Sequence, residues 1–439
     1  MEKVNNSEND RENTILLNNL QNLFIFSENK IKIPNKIYGY QKFNQNQKDV
    51  YQNYIYSIIH KFNLSTIQKE KITIYSKTYT KDILRKLIYS IAKILYFSYK
   101  KNFPKIKNSN TNKIYTSDKG WGCMIRCGQM ILSRGIYKYF KKLKFDTLEA
   151  LNQSWKFFYD NIIELNEFPE EFFNMMNLFI KNYKINKQNH QNLIGCFPPF
   201  SIKSICLNGI LCHKFAGDWF SDVNLCYLFH IISEKYNLFK NLKIFSFQTQ
   251  LFKEEIIKGC FTKINNTMNN NEYIEFENEK YYFKNMGIIF ISVRLGIEKI
   301  SIEYHKSLRK FFLCKENIGI IGGIKNLAYY FIGYKDDGEL LYLDPHSTKE
   351  CSKYIFNNNI NHYYLCSNVK SLEINKMTTA LSFGFIFRDL NEFNDLFKFF
   401  DVHMKYFEFP LFGVSDKNIM DNFNYDMFKN KVNMDNDDF

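Results

Sequence analysis

Residues 116–132 read TSDKGWGCMIRCGQMIL. Gly120 and Gly122 permit a tight turn and a close backbone approach just before Cys123. From Cys123 onward, Met124, Cys127, Met130, Ile131 and Ile136 recur at helical spacing and predict a helix to about Phe140. Cys123 then falls in the first turn of that helix, where unpaired N–H groups and the macrodipole favour an anion. A thiol so placed is poised to act as a thiolate nucleophile, and the same amides suit a developing oxyanion. Taken alone, the stretch also fits a buried structural cysteine.

A base for such a thiol lies more than two hundred positions downstream. Residues 328–334 (AYYFIGY), 335–338 (KDDG) and 339–344 (ELLYLD) carry the signature of a β-hairpin. Pro345 and His346 follow directly. Positions two apart on an extended chain face the same way, so Asp344 and His346 share one side. Pro345 keeps Asp344 extended and ends the ladder, which exposes the pair at the strand terminus. A carboxylate beside an imidazole fixes its tautomer and stabilises the imidazolium. On its own, Asp-Pro-His also fits a turn in which Asp344 caps backbone.

Further out, Ile83, Leu84, Leu87, Ile88, Ile91, Ile94 and Leu95 predict a helix over 81–99, with Thr80 as its capping residue. Residues 102–117 read as a polar loop, and 141–200 as a mostly helical, basic insertion. A helical pattern follows Gly217-Asp218-Trp219. Residues 262–273 read as an Asn-rich loop. Buried strands are expected at 287–293 and 380–387, and helices at 301–313 and at Glu392 to about Phe400. Residues 1–35 read as a polar mobile segment, 36–412 as one domain and 413–439 as a loose tail. Helices early and strands late indicate an α+β layout of papain-like kind.

Composition sets the bounds. The 439 residues include 44 Phe and 30 Tyr, ample for a core, and 45% are hydrophobic against 24% charged, as in globular proteins. A formal net charge of +14 favours anionic partners, but the basic residues are scattered, which argues for a solvated surface and against nucleic acid. Ten dispersed cysteines and a polar start without a signal peptide point to reduced thiols in the cytoplasm. No apolar run reaches the roughly 18 residues of a membrane span.

The two motifs, TSDKGWGCMIRCGQMIL and YFIGYKDDGELLYLDPHSTK (330–349), resemble the autophagins, cysteine proteases that process the ubiquitin-like modifier of autophagy. The stretches YFSYKKNFP (96–104), VRLGIEKI (293–300), GIIGG (319–323) and FRDLNEFNDL (387–396) agree in the same order. The resemblance implies a papain-like fold with a small additional α/β subdomain. It also implies a thiol endopeptidase that cuts the modifier precursor after a C-terminal glycine and releases the modifier from phosphatidylethanolamine. By motif, Cys123 is the nucleophile, His346 the base and Asp344 the orienting acid. Tyr99 falls on a tyrosine whose hydroxyl helps the oxyanion hole, and Trp219 near a tryptophan that covers the entrance and selects glycine. No cofactor or metal is implied, and the partners are the free and lipidated modifier, with transient membrane contact and a monomeric chain. The chain departs from the family pattern after GIIGG, where Ile324-Lys325-Asn326-Leu327 carries no proline, and after Trp219, which no Gly-Pro follows.

Two other readings stay open at this level. Cys206, Cys212, His213, Cys226 and His230 are zinc-ligand types in a short span, although Cys-x5-Cys is looser than a zinc knuckle. A protease-like scaffold that binds the modifier without cutting it is the second, and an intact Cys123, His346 and Asp344 weigh against it.

Overall fold

The computed structural model describes residues 72–79, 91, 93–161, 163–164, 195–264, 273–351 and 369–417. Its centre is built from runs rich in β-branched and aromatic residues, which suit a sheet buried on both faces. In chain order the elements are β1 (Ile72–Ile74), β2 (Lys77–Tyr79), β3 (Lys100–Lys107), β4 (Ile114–Ser117), α1 (Cys123–Lys142), α2 (Thr147–Lys156), α3 (Ile202–Asn208), α4 (Asp222–Lys235) and β5 (Leu242–Gln248). There follow β6 (Met286–Arg294), α5 (Tyr304–Phe311), β7 (Asn317–Ile324), β8 (Leu327–Lys335), β9 (Leu340–Leu343), β10 (Lys370–Leu372), β11 (Ala380–Phe387) and α6 (Leu390–Tyr406). The main sheet runs β10-β9-β8-β7-β11-β6-β5, with β1 on β8 and β2 on β1. Its pairs are antiparallel except β5 with β6. The fold is mixed α+β around one large mixed sheet.

Each face of the sheet carries its own apolar cluster. On one side α1 and α4 pack on Ile288, Phe290, Tyr330 and Ile386. On the other, Phe311, Phe383, Phe385 and Phe400 join α5 and α6. A fully buried Leu, Ile or Phe stabilises a fold by about 1.5–3 kcal/mol, so these two layers supply most of the driving force. Gly128 and Gly135 let α1 lie close: a Cβ would meet Phe229 Cζ at 2.9 Å and Ile288 Cδ1 at 2.6 Å respectively. The helix that begins at Cys123 is thereby pressed against both α4 and the sheet.

The register carries the site. Tyr330 pairs with Leu343 and Phe331 with Tyr342, so the chain leaves the sheet at Asp344 as the hairpin reading expects. Across from this exit, the segment 96–99 runs extended and not as the end of a helix. The Tyr99 N–H donates to Pro345 O (3.0 Å) and the Lys349 N–H to Tyr99 O (2.9 Å), and this tertiary pairing overrides the helical spacing. Residues 80–90, including Thr80, lie outside the described residues. The stretch expected as a polar loop at 102–117 is the hairpin β3–β4, with Phe103 and Ile106 buried beneath it. Its first residues also pair in parallel with Lys349–Glu350.

Other boundaries differ as well. The helix expected at 392–400 runs from Leu390 to Tyr406, with Asp389 capping Glu392 N. Residues 413–415 form a strand parallel to Gln250–Phe252, so the segment read as a tail begins inside the fold. Residues 1–35 and 418–439 lie outside the described residues, as do 165–194 of the helical insertion and 265–272 of the Asn-rich loop.

Candidate active site

The loop before α1 is shaped by its glycines. Gly120 has φ +87°, a conformation that L side chains rarely adopt. Gly122 carries no room for a side chain: a Cβ would stand 2.5 Å from Asp118 Oδ2. The Trp121 and Gly122 N–H groups both donate to Asp118 O, at 3.2 and 2.9 Å. Trp121 Nε1 closes the turn on Ser117 O at 3.0 Å. Cys123 is therefore the first residue of α1, fully buried, with no side chain capping the helix start. Its position leaves the first-turn amides available to an anion.

The end of β9 delivers the second half. His346 Nδ1 lies 2.6 Å from Asp344 Oδ1, and the His346 N–H donates to the same oxygen at 3.1 Å. Lys370 Nζ donates to Asp344 Oδ2 at 2.7 Å, and the Tyr96 hydroxyl to Asp344 O at 2.6 Å. The imidazole stands edge-on between Tyr99 and Tyr329, with ring centroids 5.5 and 5.7 Å away. Two side-chain atoms of Asp344 thus serve two cations, while two rings fix the plane of His346.

Electrostatics follow from this packing. Burial raises the Asp344 pKa, but hydrogen bonds from His346 and Lys370 outweigh it and hold the carboxyl well below the usual carboxylate range. Burial lowers the His346 pKa, yet Asp344 and then Cys123 overcome that and bring it up to about 9. Nε2 of the ring is buried and makes no hydrogen bond of regular geometry. Cys123 is, after Asp344, the group that most raises the pKa of the ring. An imidazole with a carboxylate on one nitrogen and a thiol within its reach can exchange a proton with that sulfur.

Tyr99 joins the same group. Burial first, then the charge of Cys123 and a hydrogen bond with it, push its phenol well up, so the hydroxyl stays a donor. A backbone hydrogen bond from Gly120 opposes these effects. Cys123, His346, Asp344 and Tyr99 are therefore brought together.

Trp219 is not placed among them by any described contact. It is 39% exposed, on a turn where Asp218 Oδ2 accepts from Phe215 N at 2.8 Å. That turn reaches the loop before Cys123 indirectly: Gly217 packs against Tyr115, whose ring lies 5.6 Å from that of Trp121. The zinc-type residues do not gather either. Cys206 and Cys226 are buried in the core and His230 Nδ1 bonds Ile244 O at 2.6 Å. Among the described residues no group of three or more His, Cys, Asp or Glu could hold a metal ion, and no helix is long and apolar enough to cross a membrane.

Sequence reasoning assigned no role to Lys370, Tyr96 or Tyr329: Lys370 and Tyr329 reach Asp344 and His346 through the sheet register, and Tyr96 through the tertiary pairing of its segment with residues 345–349. It also passed over Asp118 and Arg126, although both stand in the glycine-flanked stretch. Charged residues inside a segment destined for a buried helix start were the available signal.

Comparison with known proteins bears on this geometry. A family model described as the Peptidase C54 catalytic domain matches residues 84–399. Cysteine protease ATG4C of Xenopus laevis is 24% identical over 361 residues, covering 74% of this chain and 76% of that protein. Cysteine protease ATG4B of Gallus gallus is 26% identical over 277 residues, 60% of this chain and 62% of the chicken protein, so the chain spans under two thirds of that relative. Human cysteine protease ATG4C is 24% identical over 329 residues, 68% of this chain and 67% of its own length.

Proposed function

This chain belongs to the peptidase C54 family, the autophagins, and on that premise we propose that it is a cytoplasmic thiol endopeptidase acting on a ubiquitin-like autophagy modifier. It cuts the modifier precursor after its C-terminal glycine and releases the same modifier from phosphatidylethanolamine. The family membership also supports a papain-like arrangement for the catalytic unit, set within residues 36–412. What carries the reading is the meeting of Cys123, His346 and Asp344, drawn from two distant segments, at one end of the sheet.

In the reaction, the modifier tail approaches Cys123 at the start of α1, and the family resemblance assigns Trp219 to the entrance. The Cys123 thiolate attacks the glycine carbonyl, and the oxyanion rests on the helix-start amide and the Tyr99 hydroxyl. His346, held as imidazolium by Asp344, donates its proton to the departing amine as the C–N bond breaks. The resulting thioester is then hydrolysed: His346 takes a proton from water, hydroxide adds to the carbonyl, and the thiolate leaves. Both substrates are amides of the same glycine, so one site serves a peptide amine and a lipid amine.

Incubation with a modifier bearing residues beyond its terminal glycine tests this. A product ending in glycine, formed by wild type and not by Cys123→Ala, is expected. An uncut precursor would sink the reading and leave a modifier-binding scaffold in its place.

A further inference from the structure

The mechanism leaves three charges beside the nucleophile unused. Asp118, Arg126 and Asp160 have side-chain exposures of 0%, 0% and 2%. Arg126 Nε donates to Asp118 Oδ2 at 2.7 Å, and Nη1 to Asp160 Oδ2 at 2.5 Å and to Gln129 Oε1 at 3.0 Å. A buried ion pair is a poor stabilising device, since apolar residues of similar volume often do as well or better. Stability alone therefore does not account for the cluster.

Its connections do. Asp118 Oδ1 accepts the Lys100 N–H at 2.6 Å, and Lys100 directly follows Tyr99. Asp118 O accepts the Gly122 N–H at 2.9 Å, and Gly122 directly precedes Cys123. One residue thus grips the chain next to both components of the oxyanion site. Arg126, one turn into α1, holds that residue in place. Asp160 and Gln129 anchor Arg126 in turn, Asp160 Oδ1 by accepting Ile202 N at 2.9 Å and Gln129 Nε2 by donating to Phe200 O at 2.8 Å.

We propose that Asp118, clamped by Arg126, is a positioning residue that sets the Tyr99 hydroxyl and the start of α1 at Cys123 against each other. This rests on the roles given above to Cys123 and Tyr99. It touches no substrate and acts only through those two groups.

The test uses the full chain and a modifier precursor extended beyond its terminal glycine. Asp118→Asn keeps the shape and an acceptor but removes the charge that Arg126 holds. Misplacing reacting groups by about an ångström costs on the order of 10²-fold, so kcat of the folded variant should fall by about that factor with KM changed by less than about threefold. Tyr99→Phe should lower wild-type kcat by about 10²-fold as a lost oxyanion donor, yet cost less than about threefold in the Asp118→Asn background, because coupled sites are not additive. Should Asp118→Asn fail to fold, Arg126→Lys, too short to span Asp118 and Asp160 together, carries the same expectations. An unchanged kcat, a loss seen in KM alone, or a full Tyr99→Phe penalty in the variant background would overturn the positioning role. Wild type that leaves the precursor uncut would instead overturn the function on which it rests.

Discussion

Asp344 Oδ1 receives both the ring Nδ1 and the backbone N–H of His346, at 2.6 and 3.1 Å, while Oδ2 is taken by Lys370 at 2.7 Å. The carboxylate has no freedom to rotate away from the imidazole. It therefore sets the ring's tautomer as well as its orientation. Asp344→Asn offers Nδ1 an amide that can present N–H where an acceptor is needed. Steady-state assays of precursor cleavage should show kcat lower by on the order of 10³–10⁴-fold, with KM little changed. A loss under tenfold would show that Asp344 merely ends a strand.

The raised pKa of His346, about 9 against 6.5 for a free imidazole, has a definite sign for activity. The imidazolium is the acid that protonates the leaving amine, so kcat/KM should fall as pH rises through about 9. In Asp344→Asn that falling limb should move to lower pH, because the strongest stabiliser of the imidazolium is gone. A pH–rate series on both proteins reads this directly.

The same shift links protonation to folding. A folded pKa above the unfolded one means that the proton stabilises the native state; that contribution is whole below pH 6.5 and lost as pH rises through about 9. Denaturant melts of wild type and His346→Gln should therefore differ most below pH 6.5 and converge above pH 9. A difference that grows with pH contradicts the assignment.

Gly122→Ala tests the nucleophile loop by sterics alone. Gly122 has φ −90°, open to alanine, but the new Cβ would stand 2.5 Å from Asp118 Oδ2. Forcing an atom into such a packed position costs about 1–3 kcal/mol. The melting temperature should drop and cleavage with it, and a variant as stable and active as wild type would show the loop to be looser than drawn.

Much of this was legible in the primary structure. Cys123–Lys142 and the hairpin ending at Leu343 follow from spacing and turn chemistry, which are local properties. The extended run 96–99 was not, because Ile91, Ile94 and Leu95 are buried as a helix face would be, while the backbone that follows is claimed by Pro345 and Lys349 from far along the chain. The hairpin of Lys100–Lys107 with Ile114–Ser117 hid because its buried residues, Lys100, Phe103 and Ile106, recur at every third position and not in strand alternation. Within the site, Asp344 and His346 could be paired from sequence, since two residues so near in the chain need no tertiary information, although they meet on a turn past the strand end and not along an extended strand. Lys370 could not, since only the pairing of Tyr342 with Lys370 brings it there.

The most direct measurement of the central claim is covalent capture. A modifier whose terminal glycine carbonyl is replaced by a thiol-reactive vinyl ester is incubated with the full chain, and the adduct is mapped by mass spectrometry. One modifier per chain, on Cys123 and suppressed in His346→Ala, is the predicted result. An adduct spread over other cysteines, or equal capture without His346, would contradict a thiol activated by that imidazole.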